Sequence, residues 1–354
     1  WSETWTAGVV GGATNITAKN VSNKGKIYGA AGYNSKTGGV FAETSVLLLE
    51  NVNNSATVYG GNADYSVYTG GVAAEVNYSY SGKSYIKNCH NSAEIFGGDA
   101  PVTPDLRDDA YKYIGGLFGW SSNIDEIRDC SNSGNVNSKV VNLHPEYAPD
   151  DHVGGLFGAN FSNVYDCNNS GDIYVERSGS IGGLAGASAA GDIFTRSVNT
   201  GDITLVDCCF MSEVGGITGT TQELLSECTN KGSIKVSESD SYEIPGTICI
   251  GGIAGESNSG VDENILNCTN EGKVEVLTPF TYSVFCGGIL GRQASGVVGR
   301  SIKGCKNMGD IIGNDAIKGN AYTAGIVAVT YLTWVDNCVN TASVTGGIGL
   351  TQDS

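Results

Sequence analysis

Ten times along this chain the phrase Cys-x-Asn-x-Gly-x-Val/Ile returns, at intervals of 30 to 41 residues. Seven copies carry the cysteine, at Cys89, Cys130, Cys167, Cys228, Cys268, Cys305 and Cys338; Val21, Val52 and Ser197 replace it in the others. The third slot is always asparagine: Asn23, Asn54, Asn91, Asn132, Asn169, Asn199, Asn230, Asn270, Asn307 and Asn340. The fifth is always Gly or Ala, and the seventh always Ile or Val, from Ile27 to Val344. An apolar residue stands three places before each copy, as at Leu49, Ile127, Phe194 and Ile302. A unit this short cannot bury its own apolar face, but stacked neighbours bury it for one another.

Each copy follows a second phrase, Gly-Gly-(Leu/Ile/Val)-x-Gly/Ala. It reads GGLFG at Gly115 and Gly154, GGLAG at Gly182, GGITG at Gly215, GGIAG at Gly251 and GGILG at Gly287, with looser forms at Ala7, Gly38, Gly70 and Ala324. Apolar runs are three to five residues long and broken by Gly, Asn and Ser. No helical period is sustained; short β-branched runs between turn residues read as strands. The expected fold is therefore all-β: a parallel β-solenoid of about ten coils with equivalent slots in register. At about 4.8 Å per coil the rod is roughly 48 Å long. Right-handed crossover is the default for such connections. Residues 1–354 read as one repeat domain. Residues 1–6, with Trp1 and Trp5, are the expected cap, and residues 346–354 the start of an incomplete coil.

The repeated letters have structural readings. Asparagine suits turns, and stacked amides can bond along the rod as a ladder. Gly-Gly with no following helix and no Lys-Ser/Thr is no phosphate loop; it marks a tight corner. A slot that accepts Cys, Val or Ser wants a small filler, so the seven slot thiols are expected reduced and buried. Side chains stacked about 4.8 Å apart lie beyond ordinary disulfide reach. Cys208, Cys209, Cys249 and Cys286 fall outside the slot, and Cys249 and Cys286, in successive coils, are a possible pair.

The formal net charge is −17, from 37 acidic and 20 basic residues, which disfavours nucleic-acid partners. No polybasic run or long apolar stretch points to membrane insertion. The chain starts Trp-Ser-Glu-Thr-Trp, which reads as a mature piece whose targeting segment has been removed.

The coupled phrases, GGLFG followed by CxNxG, resemble the GLUG repeat over about Ala7 to Gly349. That repeat occurs in bacterial surface proteins and adhesins and in the non-catalytic part of immunoglobulin A-cleaving metallopeptidases. The resemblance implies a place on the cell surface or outside the cell. None of the three histidines begins an HExxH motif, so peptidase chemistry does not carry over.

Carboxylates gathered from neighbouring coils are the signature to seek for polysaccharide chemistry. The nearest match is Asp172 and Asp202 in adjacent coils, with Asp310 further on, and it reads better as a solvated edge. Long insertions after the seventh slot carry aromatic rings, among them Tyr111, Tyr113, Tyr147, Tyr242 and Tyr282. Rings beside carboxylates either pin the loops onto the rod or suit a glycan or a protein partner on a host or neighbouring cell. No cofactor is expected. Asp105, Asp108, Asp109, Asp150 and Asp151 are candidates for structural calcium, without any known calcium-loop pattern behind them. The expectation is a non-enzymatic, adhesin-like binding or stalk module, monomeric or within a larger chain. A β-helical carbohydrate-active enzyme and a plain spacer are the alternatives.

Overall fold

The computed structural model describes residues 2–78, 80, 82–100, 111–139, 150–177, 179–188, 193–207, 211–222, 224–238, 246–258, 265–279, 282–294, 300–317, 319–331 and 333–347; the side chains of Asp150 and Arg300 are also left undescribed. Every described element is a strand, and every pairing is parallel between equivalent places of successive coils. The result is a parallel β-solenoid of ten coils. Coil 5 shows the plan. Its first limb, Asp150–Gly154, ends in the Gly-Gly corner, and Phe157–Phe161 follows as the second limb with Val164–Tyr165 beyond it. Asn168–Asn169 forms the third limb and Ile173–Glu176 the fourth. In coils 1 and 2 the second limb and its extension are one strand, Val10–Lys19 and Phe41–Glu50.

Alternation along each limb sends side chains to two interiors. One gathers the residues after Gly-Gly, the residue three before the cysteine, and the cysteine itself, as Leu117, Phe118, Ile127 and Cys130 do in coil 4. The other gathers the first and fourth limbs, with Ile114, Val136, Val153, Ile173 and Val175. The asparagine column lies where the two interiors meet, against the second glycine of each corner. A β-carbon on Gly155 would stand 2.3 Å from Asn169 Cγ and 2.2 Å from the Gly183 carbonyl oxygen.

Asn54, Asn91, Asn132 and Asn169 each make four amide bonds. Asn169 Nδ2 donates to its own Gly171 carbonyl at 2.8 Å and to Asn199 Oδ1 of the next coil at 2.9 Å. Its Oδ1 accepts from Gly171 N at 3.3 Å and from Asn132 Nδ2 at 2.9 Å. The column runs unbroken from Asn23 to Asn340 with inter-coil bonds of 2.7 to 2.9 Å. Buried amides need all their partners, and here a single letter supplies them.

One corner is set by backbone handedness. The residue before the first slot is left-handed in every coil, with φ from 50° to 65°, at Asn20, Asn51, Asn88, Asp129, Asp166, Arg196, Glu227, Asn267, Gly304 and Asn337. Asn, Asp and Gly tolerate that region best. Asp166 also receives Arg196 and Arg128 from the flanking coils, each at 2.7 Å. The Arg196 bond holds the Asp166 carboxyl below the usual carboxylate range.

The slot thiols Cys89, Cys130, Cys167, Cys228, Cys268 and Cys305 are buried and unpaired, whereas Cys338 in coil 10 is only half-buried. Burial of Cys338 was expected; no coil among the described residues lies above it. Burial raises the Cys130 and Cys268 thiols well above their ordinary range. Cys249 and Cys286 do not pair. Register sets Cys249 beside Phe285 and Cys286 beside Ile250, so the two thiols leave opposite faces of their limbs. Cys208 and Cys209 lie outside the described residues. Under native conditions an alkylating reagent is expected to label Cys338 first among the nine described thiols, and the buried slot thiols only on unfolding. Peptide mapping checks this; Cys167 or Cys268 reacting as fast as Cys338 would contradict the buried column.

Candidate binding cleft

On the outward side of the Gly-Gly corner, the first and second limbs of each coil face each other. Their outward residues form two columns. The first runs Trp5, Lys36, Tyr68, Tyr113, His152, Ser180, Glu213, Cys249, Phe285, Tyr322. The second includes Gly12, Glu43, Glu75, Trp120, Ala159, Ala187, Thr220, Glu256 and Arg292.

The columns close on each other differently along the rod. In coils 2 and 3, Lys36 bridges Glu43 and, at 2.8 Å, Glu75, with the Tyr68 and Trp5 rings alongside. Burial alone would lower the Lys36 ammonium's pKa, but the two carboxylates outweigh it and hold it above its ordinary value. Burial and the Glu75 charge push the Tyr68 hydroxyl up to about 12. In coils 4 and 5, Tyr113 meets Trp120 edge-on at 4.8 Å, and Trp120 stacks on Phe161 at 4.4 Å. In coils 6 to 9, Arg292 clamps Glu256, and Ser180 Oγ donates to Glu213 at 2.9 Å.

Just beyond the Lys36 cluster the surface opens. Ala13, Thr14, Glu43, Ser45, Asn77, Tyr78 and Tyr80 line a cleft of about 390 Å³. Coil 1 contributes only Ala13 and Thr14 to its lining, beside Glu43 and Ser45 of coil 2 and Asn77 of coil 3. Nothing lies within 4 Å of a β-carbon built on Gly11. Tyr78 and Tyr80 meet at 4.8 Å with planes tilted by 54°, and Tyr80 is 86% exposed. A hydrogen bond to Tyr80 raises the Tyr78 hydroxyl above its ordinary range. Asn77 Nδ2 donates to Glu75 Oε1 at 2.7 Å, which fixes the amide at the cleft edge. One open ring and one half-buried ring, a carboxylate tied to a lysine, an amide and two hydroxyls form a hydrogen-bonding surface.

Two of the rings expected on insertion loops stand on a strand instead. Tyr111 and Tyr113 belong to the first limb of coil 4, Tyr111–Gly115. Tyr113 is 9% exposed and packs between Tyr68, Trp120 and His152, so its placement on a binding loop is corrected: it fills the outward column. Tyr111 lies edge-on to Tyr65 at 6.1 Å and is half-buried. Tyr282 is exposed, next to the first limb of coil 9 and far along the rod from the cleft. Tyr147 and Tyr242 lie outside the described residues. Sequence reading missed Tyr78 and Tyr80; the alternating rings of Asn-Tyr-Ser-Tyr, after Gly-Gly rather than before it, were the available signal.

The candidate carboxylates are engaged structurally. Asp172 Oδ1 accepts the Asp202 backbone N–H at 2.9 Å, Asp202 accepts that of Ser233 at 2.8 Å, and Asp310 accepts that of Ser343 at 3.1 Å. All three are exposed, and they bond coil to coil along that edge. Of the calcium candidates, Asp151 is buried against Lys112, while Asp105, Asp108 and Asp109 and the side chain of Asp150 lie outside the description. Among the described residues no three acidic, histidine or cysteine side chains form a metal-sized group. Trp1 is not described, and Trp5 lies over Gly12 in the outward column.

No family model matches the chain, and neither a curated protein nor a solved structure is found similar to it.

Proposed function

We propose that the chain is a glycan-binding module of a bacterial surface or secreted protein, and that the cleft of coils 1 to 3 is its binding site. The observation that carries this is the exposed ring of Tyr80 beside half-buried Tyr78, sharing with Glu43, Ser45, Thr14 and Asn77 the lining of a cleft of about 390 Å³. Sugar rings present apolar C–H faces and a rim of hydroxyls. Tyrosine faces suit the former, and amide, hydroxyl and carboxylate groups the latter. Lys36 is shared by Glu43 and Glu75 and offsets only one of the two carboxylates, so the cleft favours uncharged sugars over the acidic ones that a chain of charge −17 repels. The likeness of the repeat to GLUG sequences supports a surface location.

Glycan-array screening followed by calorimetry on the best-bound sugar tests the reading. Tyr80→Ala is expected to weaken binding about tenfold or more, the loss of one stacking face worth about 1–2 kcal/mol. Tyr282→Ala, remote from the cleft, serves as the control and should bind normally. An array with no bound glycan, or binding indifferent to Tyr78 and Tyr80, overturns the assignment.

A further inference from the structure

Two charged side chains stand inside the solenoid. Lys112 and Asp151 occupy the same inward place, three residues before Gly115 and Gly154, and face each other in register in coils 4 and 5. Other coils put Ser35, Val67, Ser212, Ile248 and Val284 there, all buried and none charged. Lys112 Nζ lies 2.8 Å from Asp151 Oδ2, both side chains are 0% exposed, and the contact lacks hydrogen-bond alignment. Ile114, Val136 and Val153 pack in the same interior. Ser138, buried on the fourth limb that packs against Lys112's strand, has a hydroxyl without a hydrogen-bond partner.

Removing both charges from water costs several kcal/mol per ion, and an apolar pair such as Ile248 and Val284 fills this place at no such cost. The pair is thus a poor choice for stability alone. It is a good arrangement for chemistry. Passing one proton from the ammonium to the carboxylate discharges both groups and leaves an amine against a carboxylic acid. The backbone of two paired coils holds them together, and such fixed pairs react as though at enormous local concentration.

We propose that Lys112 and Asp151 condense into an amide that staples coil 4 to coil 5. The Nζ lone pair attacks Asp151 Cγ and forms the new C–N bond. The tetrahedral centre then collapses as the Cγ–OH bond breaks, and that hydroxyl leaves with a proton from Nζ as water. No electrons are exchanged and no co-reactant is needed. Since the groups meet only when the coils stack, the bond forms after folding. It joins coils 4 and 5 covalently across the strand pair Tyr111–Gly115 and Asp150–Gly154. This staple is independent of the glycan reading.

The test is the intact mass of the purified full chain. It is expected to fall short of the sequence mass by one water. Trypsin does not cut after an acylated lysine, so digestion should yield one branched peptide joining the segments around Lys112 and Asp151. Lys112→Met and Asp151→Ala should each restore the full mass. Should neither variant fold, the wild-type mass and the branched peptide decide alone. A full sequence mass overturns the proposal, and so does a lost water without the branched peptide, which would place the dehydration elsewhere.

Discussion

Asn169→Ala is expected to cost the fold about 4 kcal/mol, from four hydrogen bonds lost at about 1 kcal/mol each with every partner left buried. The partners are Asn132 Nδ2, Asn199 Oδ1, and the amide and carbonyl of Gly171. Water cannot replace the lost side chain, because the site is closed by the Gly155 backbone on one side and the two apolar interiors on the others. Asn169→Asp keeps the shape but loses the donors, and sets a carboxylate oxygen against Asn199 Oδ1, so it should be no milder. Asn168→Ala, one residue earlier and pointing to solvent, should stay within about 0.5 kcal/mol of the parent. Coils touch only their neighbours, so the damage should be local. Hydrogen exchange should show early opening at coils 4 to 6, with urea unfolding giving the free energy. Equal stability of the Asn168 and Asn169 variants would show that the amide column is ornamental.

The same contrast explains what the sequence reveals of this fold. Asparagine, cysteine and isoleucine recur because one place in every coil makes one demand, and stacking repeats that demand ten times. Equivalence in sequence therefore becomes adjacency in space, as with Asn132, Asn169 and Asn199. The outward column escapes such reading. Lys36, Tyr68, Tyr113, His152, Ser180 and Glu213 fill equivalent places with no shared letter, since each meets only its local partner across the corner. Tyr113 thus reads as an insertion residue although its strand is regular. The left-handed corner is half legible: Asn, Asp and Gly mark it in eight coils, but Arg196 and Glu227 adopt it too, because the pairing on either side dictates the backbone. Lys112 and Asp151 are illegible in a different way. Lysine and aspartate ordinarily mean surface, and only register shows that two of them face inward together. The cleft is lined from three coils by Ala13, Thr14, Glu43, Ser45, Asn77, Tyr78 and Tyr80, residues that share no repeated letter, so the repeat pattern passes over it.

Gly155→Ala tests the other half of the waist, the line between the two interiors where the asparagine column meets the Gly-Gly corners. The new methyl would sit 2.2 Å from the Gly183 carbonyl oxygen and 2.3 Å from Asn169 Cγ, distances that no rotamer change relieves on the backbone side. Coils 5 and 6 would have to part, stretching the Gly155 N–H to Gly182 carbonyl bond of 3.2 Å and its neighbours. A loss of about 3 kcal/mol or more is expected, at the upper end of overpacking costs. Gly11→Ala is the matched control. Its β-carbon meets nothing within 4 Å, so the variant should be neutral or slightly stabilised by a stiffer unfolded chain. Joining Gly155→Ala to Asn169→Ala removes one of the two collisions but not the one with Gly183. The double variant should therefore lose less than the two single losses together, by about 1 kcal/mol of coupling, while staying below either single variant in stability. Denaturant midpoints of the four proteins measure that coupling. Strict additivity would mean that the glycine and the amide do not press on each other, and the waist would then have to be held by the β-ladders alone.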